Sequence, residues 1–281
     1  MQTIAYPGRA GAHSAVAGEL LFPNAELRPL PSFGAVARAV AGRDVDAGVL
    51  PIESSLVGPV PETHDLLYES PLSIVAEVVI PVNHCVVGPA EVPLDAVRVV
   101  HSHPVALDQC RRLLESLHDA VAVAAPTTAD AAKLVAEQRD PTHVAIASDR
   151  AARLHRLVVI AANVGDHPEA YTRFVAIATH IRLDHAGETF RTAFSFATDH
   201  SPGALHRAIE PFARNEIDLL QLVSRPIPAT PWRYRFDAVL AGHVTDARVR
   251  QALREAAERT RRLVVFGSYP AYERRGAPGP S

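Results

Sequence analysis

Small and hydroxyl-bearing residues follow two apolar, strand-like segments near the start of the chain. The first segment runs into Tyr6-Pro-Gly-Arg-Ala-Gly-Ala-His-Ser14, just before a helical stretch. Glycines let a backbone approach an anion closely, and a helix start presents unpaired N–H groups and a partial positive charge. The second runs into Pro51-Ile-Glu-Ser-Ser55, whose hydroxyls could donate hydrogen bonds to a ligand. Both are candidate anion-binding segments, and both are also typical of ordinary turns.

A later segment, Tyr171-Thr-Arg-Phe174, places a hydroxyl beside a guanidinium where a loop enters a strand. Arg173 suits bidentate recognition of a carboxylate, while Thr172 offers a hydrogen bond. Elsewhere, His101-Ser-His103-Pro would place two imidazoles on one face of a strand. Because no third ligand lies at a recognised spacing, we predict a helix start with His103 capping it or facing a cleft, and no metal site.

The composition excludes several classes of protein. With 281 residues, 48% of them hydrophobic and 21% charged, the chain can bury the cores of about two domains. The net charge of −3 gives no basic excess for nucleic-acid binding, and no apolar run reaches the ~20 residues that cross a bilayer. Two cysteines are too few for a disulfide framework, and no secretory signal is evident, so we expect a cytoplasmic protein.

The elements that must position these residues alternate between strand and helix, which is typical of an α/β fold. Predicted strands lie at 3–6, 26–30, 47–52, 73–88, 97–101, 121–125, 143–148 and 174–179. Predicted helices lie at 13–21, 33–42, 61–68, 104–117, 129–138 and 150–155. The long stretch at 73–88 separates two α/β sets, as a crossover between two lobes would, and a cleft between lobes is a natural ligand site.

A second unit is predicted after the polar, glycine-containing segment from Asp184 to Thr189, which we interpret as a linker. Its strands are predicted at 191–198, 218–224, 234–241 and 263–268, and its helices at 203–215 and 246–260. The order βαββαβ is the ferredoxin-like pattern.

Taken together, the motifs resemble those of prephenate dehydratases and the related arogenate dehydratases. The matching segments are Tyr6 to Ser14, Pro51 to Ser55, Glu77 to Val87 in its plant-type form, Ser102 to Cys110, and Thr172 to Phe174. Further on, Gly203-Ala204-Leu205 and Ser224-Arg225-Pro226 resemble the two ligand loops of the ACT domain that follows the catalytic domain in this family. The resemblance covers nearly the whole chain in order.

The resemblance implies a periplasmic-binding-protein-like pair of lobes in residues 1–182, at about 1–76 with 160–182 and at 77–159, followed by an ACT domain at 189–272. It implies conversion of prephenate to phenylpyruvate, water and carbon dioxide, with no metal or cofactor. Thr172 would hydrogen-bond or protonate the departing hydroxyl, and Arg173 would neutralise a carboxylate. The other implied substrate-binding residues are Gly11, Ala12, Ser14, Ser54, Ser55 and Phe174.

The chain departs from the family pattern at Ser54 and Ala170, where Asn is usual, at Val105 in place of Gln, and at Val223 in place of Glu. The first two departures remove amide groups from the expected pocket. They motivate two alternatives, an arogenate dehydratase and a decarboxylase that protonates the ring without losing the hydroxyl. A third alternative is a catalytically silent amino-acid sensor, against which the retained Thr-Arg pair argues.

The resemblance also implies allosteric control by an aromatic amino acid, with phenylalanine as the expected effector. Residues 203–205 and 224–226 would face a pocket at an interface between ACT domains of different subunits. Because ACT-type sheets commonly pair side by side, we expect a homodimer or homotetramer. The alternative is that both segments are only turns.

Overall fold

The computed structural model describes residues 1–181, 189–227, 230 and 232–272. The predicted linker, apart from Thr189, lies outside this part of the chain. The strands form three sheets flanked by helices, and the predicted α/β class is confirmed. No helix in the described part is long and apolar enough to span a membrane.

The strands in chain order are β1 (Thr3–Pro7), β2 (Glu26–Leu30), β3 (Ala47–Ser54), β4 (Gly58–Pro59), β5 (Ser73–Pro81), β6 (Cys85–Gly88), β7 (Val99–Ser102), β8 (Val121–Ala124), β9 (His143–Ala147), β10 (Val158–Ala161), β11 (Tyr171–Ala178), β12 (Phe190–Ala197), β13 (Leu219–Pro226), β14 (Tyr234–Ala241) and β15 (Arg262–Pro270). The α-helices are α1 (His13–Leu21), α2 (Phe33–Ala41), α3 (Pro61–Glu69), α4 (Pro104–Asp108), α5 (Arg111–Ser116), α6 (Thr128–Gln138), α7 (Asp149–His155), α8 (Ala204–Arg214) and α9 (Ala247–Glu258).

The first sheet has the order β2-β1-β3-β11-β5, and β4 pairs with the end of β3. Strands β1 and β2 run parallel. Strand β3 therefore lies between β1 and β11, which carry the other two motifs singled out in the sequence. The apolar run Ala47–Leu50 of β3 is buried, as expected for a strand covered on both faces.

The second sheet has the order β10-β6-β9-β7-β8 and is mixed. Strand β7 runs parallel to β8 and β9, whereas β6 runs antiparallel to β9 and β10. Alternating residues of β6 and β9 enter two apolar clusters, one containing Val87 and Ala145 and the other Val86 and Ile146. Since side chains alternate along a strand, each face of the sheet is closed by its own helices.

The third sheet, β13-β14-β12-β15, is antiparallel and carries α8 and α9. Its order along the chain is βαββαβ, so the predicted ferredoxin-like pattern is confirmed. Phe194, Phe196 and Phe212 form stacked and tilted ring contacts in its core. Phe194 and Phe196 lie on either side of Ser195, and this alternation accounts for the strand predicted there from periodicity.

Contact density divides the chain into two compact units. Unit 1 comprises Met1–Val36, Val49–Pro59 and Val79–Phe174, and unit 2 comprises Ala37–Gly48, Val60–Val78 and the described part of Val175–Ser281. Within unit 2, helix α3 and the start of β5 attach to the third sheet. Arg262 Nη2 donates to the Tyr68 carbonyl at 3.0 Å, and Arg191 Nη1 lies 3.0 Å from Glu77 Oε1.

The structure differs from the predicted elements at two informative places. The predicted stretch at 73–88 is two strands in different sheets, interrupted where Val82 N–H donates to the Ala170 carbonyl. The single helix predicted at 104–117 is broken at Gln109–Cys110 into α4 and α5. The break arises because Asp166, remote in sequence, accepts hydrogen bonds from the first N–H groups of α5.

We expect Gly267→Ala to lower the free energy of unfolding by about 3 kcal/mol through overpacking and backbone strain. An added Cβ would lie 2.9 Å from the Ile74 nitrogen and closer still to its carbonyl oxygen, and Gly267 has φ +140°. Chemical denaturation measures the change. Gly165→Ala is the control, because its Cβ would meet only ordinary contacts at 3.7 Å and beyond. Equal stability of the two variants would contradict the expectation.

Candidate active site

The structure brings the Pro51–Ser55 motif against the Tyr171–Phe174 motif in unit 1. Ser55 N–H donates to the Tyr171 carbonyl at 2.9 Å, and Tyr171 N–H donates to Ser55 Oγ at 2.9 Å. Arg173 Nε lies 3.2 Å from Glu53 Oε2, with both side chains roughly one-third exposed or less. The end of β3 and the start of β11 therefore form one polar surface, which follows from their being neighbours in the sheet.

The two serine hydroxyls of this surface already act as acceptors. Ser54 Oγ accepts from Leu56 N–H at 3.3 Å and Val57 N–H at 3.4 Å, the geometry of a capped turn. Ser55 Oγ accepts from Tyr171, as described above. A hydroxyl that accepts retains one proton to donate. Both side chains are thus oriented by the backbone and can donate to an anionic ligand.

The three residues of the Thr-Arg-Phe motif have different surroundings. Thr172 and Arg173 are half-buried at the start of β11, whereas Phe174 is 3% exposed and packs in the core. Within the described residues, the Thr172 hydroxyl has no hydrogen-bond partner. The structure therefore leaves Thr172 available for a ligand and places Phe174 as a packing residue in this conformation.

The turn from β1 into α1 has the conformation that its glycines were expected to allow. Gly8 and Gly11 have φ of +97° and +90°, which favour glycine. Ala12, at the N-cap of helix α1, makes no side-chain hydrogen bond to the first N–H groups of the helix. Ser14 in its first turn is buried. Gly11 contributes its carbonyl to a long hydrogen bond from Ser148 Oγ, at 3.4 Å.

Three polar residues of unit 1 that the sequence reasoning left without a role form a further group. His84 is 4% exposed and its Nε2 lies 2.8 Å from Gln109 Oε1, while its buried Nδ1 has no hydrogen-bond partner among the residues that the structure describes. Burial lowers the pKa of His84, although the Gln109 contact opposes this. His13, at the start of α1, is close enough for His84 to affect its pKa. The sequence could have indicated both His84 and Gln109, because they lie in the Glu77–Val87 and Ser102–Cys110 motifs that resemble the family's.

Burial, assisted by His84 and opposed by Asp149, lowers the pKa of His13 from 6.5 to about 4. The folded protein therefore keeps His13 neutral where the unfolded chain takes up a proton. We expect His13 to lower the free energy of unfolding progressively as pH falls from 6.5 towards 4, by roughly 2 kcal/mol after allowing for its partial exposure. Above pH 7 it should not lower this free energy.

Thermal unfolding between pH 7 and 4.5 tests this expectation. His13→Gln should show a smaller fall in Tm than the wild type, whereas the same change at the exposed His118 should not alter the slope. Parallel curves for His13→Gln and the wild type would refute the assignment.

The remaining histidines and cysteines of the described residues do not form a metal centre there. No group of three or more His, Cys, Asp or Glu side chains in this part of the chain is arranged to hold an ion. His103 caps α4 by accepting from Val105 N–H at 3.2 Å, as predicted, and His101 instead lies 3.3 Å from His143. Burial raises the pKa of Cys85, and that of Cys110 to about 12, which disfavours a thiolate at either position.

The two segments predicted to bind an effector have separate surroundings in unit 2. Ala204 and Leu205 line a cavity of about 420 Å³ together with Arg233 and Tyr234. Arg225 instead donates through Nη1 to the Pro61 carbonyl at 2.9 Å and through Nη2 to Asp65 Oδ1 at 3.0 Å. Ser224 and Pro226 are exposed on β13, an edge strand of the third sheet. In the single chain, the first segment borders a cavity and the second holds α3.

Comparisons with known proteins show what the chain as a whole is similar to. A family model for prephenate dehydratase matches residues 4–182, which include every catalytic-domain motif described above. Arogenate dehydratase/prephenate dehydratase 2 of Arabidopsis thaliana, a chloroplastic protein, is 35% identical over 276 residues, covering 95% of this chain and 72% of the relative.

Solved structures also match this chain over nearly its full length. Prephenate dehydratase from Arthrobacter aurescens, in complex with L-Phe, superposes with a TM-score of 0.87 at 28% identity, covering 96% of this chain and 90% of that one. A quorum quenching acylase, GqqA, superposes with a TM-score of 0.85 at 32% identity, covering 96% and 98%. The shared fold thus extends through the third sheet as well as the first two.

Proposed function

The chain belongs to the prephenate dehydratase family and has dehydratase relatives along its length, and we propose that it converts prephenate to phenylpyruvate, water and carbon dioxide. The observation that carries the proposal is the joining of the Pro51–Ser55 and Tyr171–Phe174 motifs by three contacts: a backbone hydrogen bond, a hydrogen bond from Tyr171 N–H to Ser55 Oγ, and the Glu53–Arg173 ion pair. These contacts support a surface for a dianion whose ring hydroxyl leaves.

In the proposed reaction, the bond between the ring and its carboxylate breaks, and its electron pair completes the aromatic ring as the C–O bond to the hydroxyl breaks. The hydroxyl takes up one proton from solvent and leaves as water, and the carboxylate leaves as carbon dioxide. Thr172 hydrogen-bonds the departing oxygen, where charge develops. Arg173, with its Nε held by Glu53, faces a substrate carboxylate, since a guanidinium suits that partner.

The remaining groups hold the substrate in place. Ser54 and Ser55 donate their hydroxyl protons, because their oxygens are already fixed as acceptors from backbone N–H groups. The uncapped first turn of α1 supplies N–H groups and a partial positive charge to the second carboxylate. We add His84, which Gln109 orients through Nε2 and whose Nδ1 remains available for a ligand. Positioning of this kind lowers the barrier without a cofactor.

Arogenate is the alternative substrate, because the relatives include an arogenate dehydratase as well as an arogenate dehydratase/prephenate dehydratase. Arogenate carries an amine where prephenate has a keto group, so the two differ only at the side chain of the ring. Ser54 and Ala170 stand where the family usually has Asn. In the sequence they directly precede Ser55 and Tyr171, which belong to the two motifs proposed to bind the substrate. The substrate assay described below separates the two.

The similarity to a quorum quenching acylase gives a second candidate function, hydrolysis of an N-acyl amide. Such a reaction needs an activated nucleophile or water. Both cysteines are buried with raised pKa values, and Ser102 Oγ donates to the Ile146 carbonyl, which gives these side chains little nucleophilic character. We therefore rank this function second and include it in the same assay.

Phenylalanine is the proposed effector of the third sheet. The Arthrobacter aurescens relative is described in complex with L-Phe, and the cavity beside Ala204 and Leu205 carries a cation, Arg233, that suits a carboxylate. The exposed edge strand β13, with Leu220 and Leu222 facing outwards, supports side-by-side pairing with a second copy. We propose a dimer or tetramer that binds phenylalanine at this pairing.

One experiment tests these proposals together. The purified protein is incubated separately with prephenate, arogenate and an N-acyl amide, with and without phenylalanine, and the products are resolved by chromatography. Phenylpyruvate from prephenate supports the proposed function, and phenylalanine from arogenate supports the alternative. A product that retains the ring hydroxyl would indicate a decarboxylase, and absence of turnover of every substrate would indicate a silent sensor. Light scattering reports the subunit count.

A further inference from the structure

The loop that leads into Thr172, residues 162–170, is fastened at several points to the strands and helices of unit 1. Val164 N–H donates to the His84 carbonyl at 2.9 Å, and Asp166 N–H donates to the Gln109 carbonyl at 2.7 Å. At the far end, the Ala170 carbonyl accepts from Val82 N–H at 2.8 Å. This loop therefore hydrogen-bonds to the backbone of both His84 and Gln109. The Thr-Arg-Phe motif follows the loop in the sequence.

The central fastening is the carboxylate of Asp166. Its Oδ2 accepts from Arg111 N–H at 2.9 Å and its Oδ1 from Arg112 N–H at 3.1 Å. Helix α5 has no capping side chain of its own at Cys110. A carboxylate at this position satisfies two N–H groups and meets the positive end of the helix, so it is a strong anchor for the loop.

The Asp166 carboxylate connects two parts of the candidate active site, the His84–Gln109 pair and Thr172. Gln109 sits at the break between α4 and α5 that the Asp166 cap creates, and its side chain holds His84 Nε2 at 2.8 Å. Thr172 follows the loop after Tyr171. Loss of the cap would free both the start of α5 and the loop, and a displacement of about 1 Å at a reacting group can cost ~100-fold in rate.

We propose that Asp166 is a positioning residue, which holds loop 162–170 so that Thr172 and the His84–Gln109 pair keep their places in the candidate active site. The proposal deepens the proposed function and rests on it for its kinetic consequence. Asp166 itself touches no substrate in this scheme, since both carboxylate oxygens are occupied by backbone N–H groups.

The test compares Asp166→Ala, Asp166→Asn and Ser32→Ala. Ser32 also accepts a hydrogen bond from a helix start, that of Ala35 in α2, so its loss removes a cap without touching the site. We expect Asp166→Ala to lower kcat/KM for prephenate by about 10- to 100-fold and to accelerate hydrogen exchange at the amides of Val164 and Asp166. Asp166→Asn, which keeps one acceptor oxygen, should recover most of both, and Ser32→Ala should change neither.

The outcomes separate the proposal from the function beneath it. Wild-type kcat/KM in folded Asp166→Ala, or equal rate losses in Asp166→Ala and Ser32→Ala, would overturn the positioning role. If the wild type itself fails to turn over prephenate, the proposed function is lost. The exchange measurement then decides alone whether Asp166 holds the loop, because it needs no substrate.

Discussion

Thr172→Ala is expected to lower kcat for phenylpyruvate formation by roughly 100- to 1000-fold, with a smaller effect on KM. Removal of one hydrogen-bond donor aimed at developing charge costs about this much. The Thr172 hydroxyl is suited to the role because no other described residue engages it, and because it lies beside Arg173 at the start of β11. Single-turnover kinetics with prephenate measure the chemical step directly.

The controls for this variant use the same strand. Thr172→Ser keeps the hydroxyl and should restore most of the rate, although the freer serine rotamer lowers it somewhat. Thr179→Ala makes the same change at an exposed position just beyond β11 and should leave kcat unchanged. A wild-type rate in Thr172→Ala would remove the proposed role of Thr172 and with it the mechanism.

Asp237→Asn is expected to destabilise the protein by about 3 kcal/mol, because it removes one of the two carboxylates, Asp237 and Asp65, that pair with the buried Arg235 guanidinium. The Asp237 side chain is 4% exposed and lies 3.1 Å from His64 Nδ1 and 3.4 Å from Arg235 Nε, whose side chain is 1% exposed. Burial by itself would raise the pKa of Asp237, but His64, Ser195 and Arg235 hold it below its usual value. Denaturant unfolding measures the loss.

The depressed pKa also fixes the direction of the pH dependence. The stabilisation from Asp237 is complete above the ordinary pKa of 3.8 and is lost as pH falls through the lower pKa of the folded protein. The variant should therefore be less stable than the wild type at pH 7 and approach it under strongly acidic conditions. A constant difference across that range would contradict the ionic explanation.

Two further variants test whether charge is the cause. Asp218→Asn, at an exposed carboxylate in the same unit, should change stability by less than about 0.5 kcal/mol. The double variant Asp237→Leu with Arg235→Met should lose less than the sum of its two single changes, since it removes both charges together. Additive losses would show that the two side chains act independently.

The burial of the ion cluster around Asp237 could not be predicted from the sequence pattern. Arg235 and Asp237 alternate with apolar residues along β14, which predicts a polar, exposed face. In the structure that face is covered by α3, whose Asp65 contacts Arg225 and Arg235, and Tyr68 lies under the Arg235 guanidinium at 4.5 Å. Because α3 comes from a distant part of the sequence, the burial of these charges was not evident from local alternation.

The same limit applies to Arg225. The sequence places it in the segment that resembles an ACT ligand loop, and from that we predicted effector binding. Its guanidinium is instead occupied by Pro61 and Asp65 in the single chain. The effector role of the segment remains a prediction, to be tested with phenylalanine on the assembled protein.

The sequence by itself determined the family, the α/β class, the βαββαβ order of the third sheet and the identity of the Thr-Arg and Ser-Ser motifs. It could do so because these features depend on local periodicity and on short runs of adjacent residues. Only the tertiary structure decided that Ser55 bonds to Tyr171, that Gln109 orients His84 and that Asp166 interrupts the predicted helix at 104–117. Each of these contacts joins residues far apart along the chain, and such pairs acquire their energies only when folding brings them within hydrogen-bond distance.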